Sequence, residues 1–568
     1  MSNNNLKKIL KISFLIIIIF IYEYKIIFAG DVNMTRKTNK FGVHIAQVSE
    51  GEIDKASEMS NGNGGSWGYV TVVIHQDDMD RDKWQNAFDR MREKRLIPIV
   101  RIATRADGGN WKRASVDQAN DTANFLDSLT WVVRERYVTL FNEPNHAQEW
   151  GGAVDPVDFS NVMKVYAEKL REKNKDFVIM PAGLDAMAPY LLPSHQDAGS
   201  FIRVMVDTIG VEKFNSLFDA WCSHSYANPN FAGSPLAIGK ATVRSYEWEL
   251  EILKNLGVKN LPVFITETGW NADAIGRDKT AEFFKTAYNE VWLPDKNVRA
   301  VTPFVLDYQG EPFLKFSFKK LNSEEFYPQF HTIKDMQKEK GEPEIFESGY
   351  IKANLPKNLT ADSQYNFQFT IKNTGQGLWD FSDGYRVVVE GLTDDSYKIA
   401  DIFKLKRKSE QQVEIKIRTD KAQAVNHVNF ALYHNKEKII DGEKWDFYIL
   451  PLPSFSFNID FFPVGKANSD KFEVQIFDEL NNLIYKKSDV SVLNGSGKIE
   501  NIHNIAYNKN YRIVILHKSY LPRQEKIVFE TNRNNLITFK QMLPFDINND
   551  GNFNFNDFMS LFSGDIGK

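Results

Sequence analysis

Between residues 40 and 340, short apolar runs alternate with amphipathic stretches eight times, and few folds accept that rhythm. The apolar runs are 41–46, 68–75, 97–104, 137–142, 177–182, 220–226, 263–267 and 300–307. Each is apolar on successive residues, as a strand buried on both faces must be. The stretches between them carry helical spacing. Residues 82–95 put Trp84, Phe88 and Met91 on one face. Asp155-Pro156 supplies an N-cap and a first-turn proline for a helix running through Val162, Val165, Tyr166 and Leu170. Residues 242–256, 280–291 and 328–337 behave alike. Eight strand–helix pairs in about 300 residues predict a (β/α)8 TIM barrel over 36–342. A doubly wound open sheet is the competing layout. Its Gly-rich phosphate loop is missing after the first strand, and Gly62-Asn63-Gly64-Gly65 reads as a surface turn.

Past residue 345 the period changes from helical to two. Tyr365, Phe367, Phe369 and Ile371 alternate with polar residues, as do Val413, Ile415 and Ile417, then Val428, Phe430 and Leu432. This predicts a β-sandwich over 346–450. Leu450-Pro451-Leu452-Pro453 breaks the chain before a second β-sandwich over 454–540, with strands around Phe472, Val474 and Ile476 and at 512–516. At the other end, Lys7, Lys8 and Lys11 precede the apolar run 12–21. That run suits a signal peptide over 1–29, cleaved near Ala29, with a retained anchor as the alternative. An exported, secreted or cell-surface protein of a bacterial kind is therefore expected. The single cysteine, Cys222, permits no intrachain disulfide and reads as a small buried hydrophobe. Lys and Arg total 70 against 74 Asp and Glu, so nothing in the charge points to a nucleic-acid partner.

Two glutamates stand where strands four and seven break off. Glu143 lies in Phe141-Asn142-Glu143-Pro144 and Glu267 in Thr266-Glu267-Thr268-Gly269-Trp270. Parallel barrels keep their chemistry at the carboxyl ends of their strands, and two carboxyls facing one cleft are what glycosidic cleavage requires. Asn142 stands beside Glu143, placed to bond a sugar 2-hydroxyl. Tyr226, near His224 on strand six, can donate a hydrogen bond that keeps Glu267 ionised. Arg101 on strand three can lower the same carboxyl. His44 and His75, on strands one and two, are further cleft candidates. Trp111, Trp150, Trp270 and Tyr308 follow strands three, four, seven and eight, where aromatic faces would serve as platforms for pyranose rings. Near the C-terminus, Asp546, Asn548, Asp550, Gly551, Asn552, Asn554 and Asp557 follow the spacing of an EF-hand calcium loop, with Asn552 offering its backbone carbonyl.

Over residues 40–340 these motifs resemble glycoside hydrolase clan A, the retaining (β/α)8 glycosidases that include families 5, 39 and 53. The resemblance implies that Glu143 is the acid/base, that Glu267 is the nucleophile, and that configuration is retained. It also implies a His and a Tyr near the sugar and nucleophile at strand six, here His224 and Tyr226. Clan members place the nucleophile-facing Arg on strand two, whereas Arg101 lies on strand three. They often carry a Trp at strand eight, where this chain has Phe304-Val305-Leu306-Asp307-Tyr308. Ile371 to Trp379 resembles the strand–turn of immunoglobulin-like modules, and the second β module resembles a transthyretin-type sandwich. Asp557 at the twelfth loop position resembles the dockerin type of loop. A dockerin has two loops and this chain shows one, so calcium-stabilised structure is the expectation and a cohesin-type or cell-surface partner the further one.

These readings make the chain an exported retaining glycosidase acting on a polysaccharide or oligosaccharide, with no cofactor in catalysis and calcium in the C-terminal loop. The alternative is a non-catalytic carbohydrate-binding or cell-surface protein built on a degenerate barrel, which need not keep both glutamates. An aldolase or metallohydrolase barrel is disfavoured. No lysine is placed for a Schiff base, and no His-x-His or His-Glu-x-x-His pair occurs in the barrel.

Overall fold

The computed structural model describes residues 36–421, 423–531, 535–548 and 550–563. The expected signal segment lies outside them. The chain divides into two compact units, Met1–Phe346 and Glu347–Lys568. No helix among the described residues is long and apolar enough to cross a membrane.

The first unit is a barrel. Its eight strands are β1 (Gly42–His44), β2 (Gly68–His75), β3 (Leu96–Ala103), β4 (Arg136–Leu140), β5 (Phe177–Met180), β6 (Trp221–His224), β7 (Val263–Glu267) and β8 (Val298–Val301). β1 to β5 form one parallel ladder, and β6 to β8 another. Phe41 bridges Val301 in parallel at one seam. At the other, the Asp219 N–H donates to the Ile179 carbonyl at 3.0 Å. All eight are thus neighbours around a closed ring, which leaves no open edge. Tyr69 of β2, Tyr137 of β4 and Phe264 of β7 meet within 5.1–6.0 Å between ring centroids and plug the interior.

The helices start where the caps require. Asp80 caps α1 (Arg81–Glu93), whose Trp84, Phe88 and Met91 are buried as the spacing predicts. Asp155 accepts from the Asp158 N–H at the start of α2 (Pro156–Lys173), with Pro156 in the first turn. The barrel unit runs slightly past the expected 342. The Arg134 N–H donates to the Glu344 carbonyl at 2.8 Å, and both Arg36 and Arg134 pair with the Glu344 carboxylate.

The second unit opens with two four-stranded sheets sharing one core, so the first β-sandwich is present. Phe369, Ile371, Val413, Ile415, Ile417, Val428, Phe430 and Leu432 are all buried there. The second module departs from expectation. Eight of its strands hydrogen-bond in one continuous order from Leu536–Thr538 round to Pro544–Asp546, not in two facing sheets, and the short strands Asp460–Phe461 and Gly465–Lys466 pair with each other. Phe472, Val474, Ile476, Ile513 and Ile515 form its core. Alternation marks which residues point inward, but it is equally satisfied by two stacked sheets and by one curled sheet.

Candidate active site

β4 ends at Leu140, and the next three residues turn sharply. Phe141 has a φ of 71° and Glu143 a φ of 28°. Non-glycine residues rarely occupy that region, and a surrounding structure must hold them there. The Glu143 N–H donates to the Gly183 carbonyl at 3.0 Å, and its own carbonyl accepts from the His146 N–H at 2.9 Å. Glu267 is the last residue of β7. His224, at the end of β6, stands between the two. Its Nδ1 is 2.8 Å from Glu143 Oε1 and 4.0 Å from Glu267 Oε2, which bounds the separation of those oxygens at about 6.8 Å, the sum of the two. That bound accommodates the roughly 5–5.5 Å of a double displacement and leaves out most of the roughly 6.5–9.5 Å of a single displacement.

Glu267 is surrounded by donors. The Tyr226 hydroxyl donates to its Oε2 at 3.0 Å. The Arg101 guanidinium contacts its Oε1 and also donates to Asn142 Oδ1 at 2.7 Å. Burial alone would raise this carboxyl. The His224 and Arg101 charges and the Tyr226 hydrogen bond outweigh it and hold Glu267 well below the usual carboxylate range. Burial opposes a charge on His224, yet the Glu267 and Glu143 carboxylates lift it well above the usual imidazole range. His44 behaves oppositely. Burial and then the Arg101 charge push it down to about 3, so it is neutral at ordinary pH. Its Nδ1 lies 3.7 Å from Glu267 Oε1, without a hydrogen bond.

A cavity of about 310 Å³ lies beside the pair, lined by His44, His75, Arg101, Trp111, Asn142, Glu149, Trp150 and Tyr308 among others. A depression of about 720 Å³ continues from it past Ala46 and Tyr308. Trp111 stacks on His75 at 5.3 Å and 23°, forming one wall. Trp150 backs the cavity but is 1% exposed, packed on Phe141 and Phe159. Trp270 is no platform at all. Gly269, at a φ of 153°, turns the chain inward. Trp270 is then 1% exposed against Phe284, with its indole N–H on the Gly233 carbonyl at 2.9 Å. Two neighbours of the site had no sequence signal. Glu149 ends the short turn Ala147–Glu149 and lines the cavity. Gly183 leaves room for His224, since a Cβ there would lie 2.2 Å from its Cδ2.

In the C-terminal loop, carboxylate oxygens of Asp546, Asp550 and Asp557 lie within 4.8 Å of one another. Asp557 is fully buried and accepts from the Ile547 and Asn554 N–H groups at 2.8 and 2.7 Å. Asn548 bonds Asp550 at 2.9 Å, and the Asn552 N–H donates to Asp550. Asp546 is 4% exposed, and its Oδ1 has no hydrogen-bond partner. An orphaned carboxylate oxygen facing two further carboxylates fits a hard divalent cation. Burial, then the Asp557 and Asp550 charges, raise the Asp546 carboxyl.

No protein-family model matches the chain, and no curated protein matches it. Solved structures give loose likenesses. A glucosidase from Croceicoccus marinus is 9% identical over 88% of this chain and 96% of its own, with a TM-score of 0.41. An endo-beta-1,4-glucanase from Xanthomonas axonopodis pv. citri is 12% identical over 52% of this chain and 97% of its own, with a TM-score of 0.36. The catalytic domain of a mannanase from Streptomyces sp. SirexAA-E is 16% identical over 51% and 85%, with a TM-score of 0.33. The chemistry of this chain rests on its own cleft.

Proposed function

We propose that the barrel is a retaining glycoside hydrolase that cleaves β-linked glycans by double displacement. The observation that carries this is the unequal environment of two adjacent carboxyls. Glu267 is pinned as an anion by Arg101 and Tyr226, and Glu143, with its side chain 22% exposed, faces the same gap. In the first step Glu267 attacks the anomeric carbon while Glu143 protonates the departing oxygen. In the second, Glu143 takes a proton from water as that water displaces Glu267. Arg101 and Tyr226 bond the free carboxylate, so they assist its re-formation in the second step and oppose premature protonation. Asn142 lines the cavity next to Glu143, with its side-chain carbonyl already bound by Arg101, so its amide is the part left to meet a sugar hydroxyl. The depression beyond Tyr308 offers room for further sugar units, so a polysaccharide or long oligosaccharide is the substrate proposed. The test is a panel of β-glucan, mannan, xylan and galactan oligosaccharides, with product anomers followed by NMR. Products retaining the β configuration agree with the reading, and binding without any cleavage refutes it.

We also propose that the C-terminal loop holds calcium through Asp546, Asn548, Asp550, Asp557 and the Asn552 carbonyl, and that the protein is exported by its N-terminal apolar run. The cation would screen three crowded carboxylates and stabilise the loop. Its place in the second unit, away from Glu143 and Glu267 in the chain, gives it no step in the hydrolysis.

A further inference from the structure

Glu149 is a third carboxyl in the cleft, and the double displacement has no use for it. It sits six residues beyond Glu143 and lines the cavity together with Arg101, Trp111 and Asn142. The Asn142 amide bonds Glu149, the Asn142 carbonyl accepts from Arg101 at 2.7 Å, and Arg101 contacts Glu267. A continuous polar chain thus joins the nucleophile to the cavity wall.

The charges around Glu149 do not balance. Glu143 faces it from the end of β4 and Glu267 from β7, while Arg101 comes from β3 and His224 from β6; His146, three residues before it, is paired with Asp185 at 2.8 Å. His44, from β1, is uncharged. Arg101 and His224 are in contact with the catalytic pair, and among the described residues no cation forms an ion pair with Glu149. Burial, and then the Glu143 charge, push the Glu149 carboxyl up to about 7. Below that pH it is a carboxylic acid, one donor and one acceptor side by side. A sugar hydroxyl is likewise both donor and acceptor. Above about pH 7 a ring carrying its own carboxylate would meet ionised Glu149 as a like charge, with no ion-pair partner beside it.

We infer that Glu149 is a specificity-determining residue that bonds a hydroxyl of a neutral sugar ring seated in the cavity and rejects a ring bearing a carboxylate. The Trp111–His75 stack supplies the apolar surface for that ring's face. This rests on the glycosidase reading above and names the substrate class of the same site.

The experiment measures kcat and KM from about pH 5 to about 9 on a neutral β-linked oligosaccharide and on its uronic-acid counterpart, with wild type, Glu149→Gln and Glu149→Ala. In the wild type, KM for the neutral substrate should rise as pH passes about 7, because ionised Glu149 loses its donor hydrogen. Glu149→Gln keeps a donor and an acceptor at every pH, so that rise should vanish. Above about pH 7 its discrimination against the uronate should fall about tenfold or more, since a like-charge repulsion is removed. Glu149→Ala should raise KM at every pH. A residue that only supported the fold would lower both variants' stability without moving the pH profile or the discrimination. An active wild type whose Glu149→Gln variant keeps the same KM profile and the same discrimination overturns this inference and leaves the glycosidase reading intact. A wild type that cleaves no member of either class overturns the glycosidase reading, and this inference with it.

Discussion

Gly183→Ala tests the site where its packing is tightest. An alanine Cβ would stand 2.2 Å from His224 Cδ2, 2.5 Å from Nε2 and 2.8 Å from Cγ, whereas ordinary contact begins at 3.4 Å. The ring must therefore retreat by about 1.2 Å, the difference between the first and last of those distances. His224 is 2% exposed, so it has no open space to retreat into. A shift of that size breaks the 2.8 Å hydrogen bond to Glu143. Movement of the Gly183 backbone instead gives no relief, because its carbonyl holds the Glu143 N–H. Losing a charge-assisted hydrogen bond costs about 1.5–3 kcal/mol, which corresponds to about a 10- to 150-fold fall in kcat/KM if the whole of it is lost in the transition state. Overpacking adds about 1–3 kcal/mol of destabilisation. The assay compares an unactivated oligosaccharide with an aryl glycoside whose leaving group departs unaided, alongside calorimetric Tm. The larger rate loss should fall on the unactivated substrate, because Glu143 acts there as an acid. A variant with wild-type Tm and wild-type kcat/KM on the unactivated substrate would refute the argument that His224 positions Glu143.

Further predictions follow from the same geometry. Glu267→Ala should abolish hydrolysis, and azide should restore cleavage as a glycosyl azide of inverted configuration; unchanged turnover removes Glu267 from the mechanism. Glu143→Gln should slow poor leaving groups far more than good ones, and equal losses would make Glu143 a positioning residue. Tyr226→Phe removes a hydrogen bond worth about 1.5–3 kcal/mol to the Glu267 carboxylate, or about 1–2 pH units. Because Glu267 is depressed in the folded state, the stability it contributes is present above the unfolded carboxyl range and lost as pH falls. The variant should therefore lose activity and stability at a higher pH than wild type, and an unmoved acid limb would contradict the role given to Tyr226. The chelator-treated full chain should take up one calcium by calorimetry, Asp557→Ala should not, and both should hydrolyse as wild type does. A barrel inactivated by chelation would point to a different metal.

Local spacing alone determined much of this protein. Eight both-face apolar runs admit little besides a closed parallel barrel, and Asp155-Pro156 marks a helix start through bonds that span only three residues. Glu143 and Glu267 were legible because each sits where an apolar run breaks, and strand ends are set by their own sequence. The EF-hand spacing brought Asp546, Asp550 and Asp557 to one point because a twelve-residue loop closes on itself. Tertiary structure decided whatever depends on residues far apart in the chain. Whether the strands of the second β module form one large sheet or two facing ones is a matter of pairing, which alternation does not encode. Trp270 looked like a platform and became core, packed edge-on against Phe284. Arg101 reaches Glu267 across 166 positions, and Gly183 matters only because the ring of His224 lies where its Cβ would be. Glu149 is an ordinary loop glutamate until folding half-buries it beside Glu143 with no ion-pair partner among the described residues, and the rise of its carboxyl is a property of that enclosure, which no stretch of sequence contains.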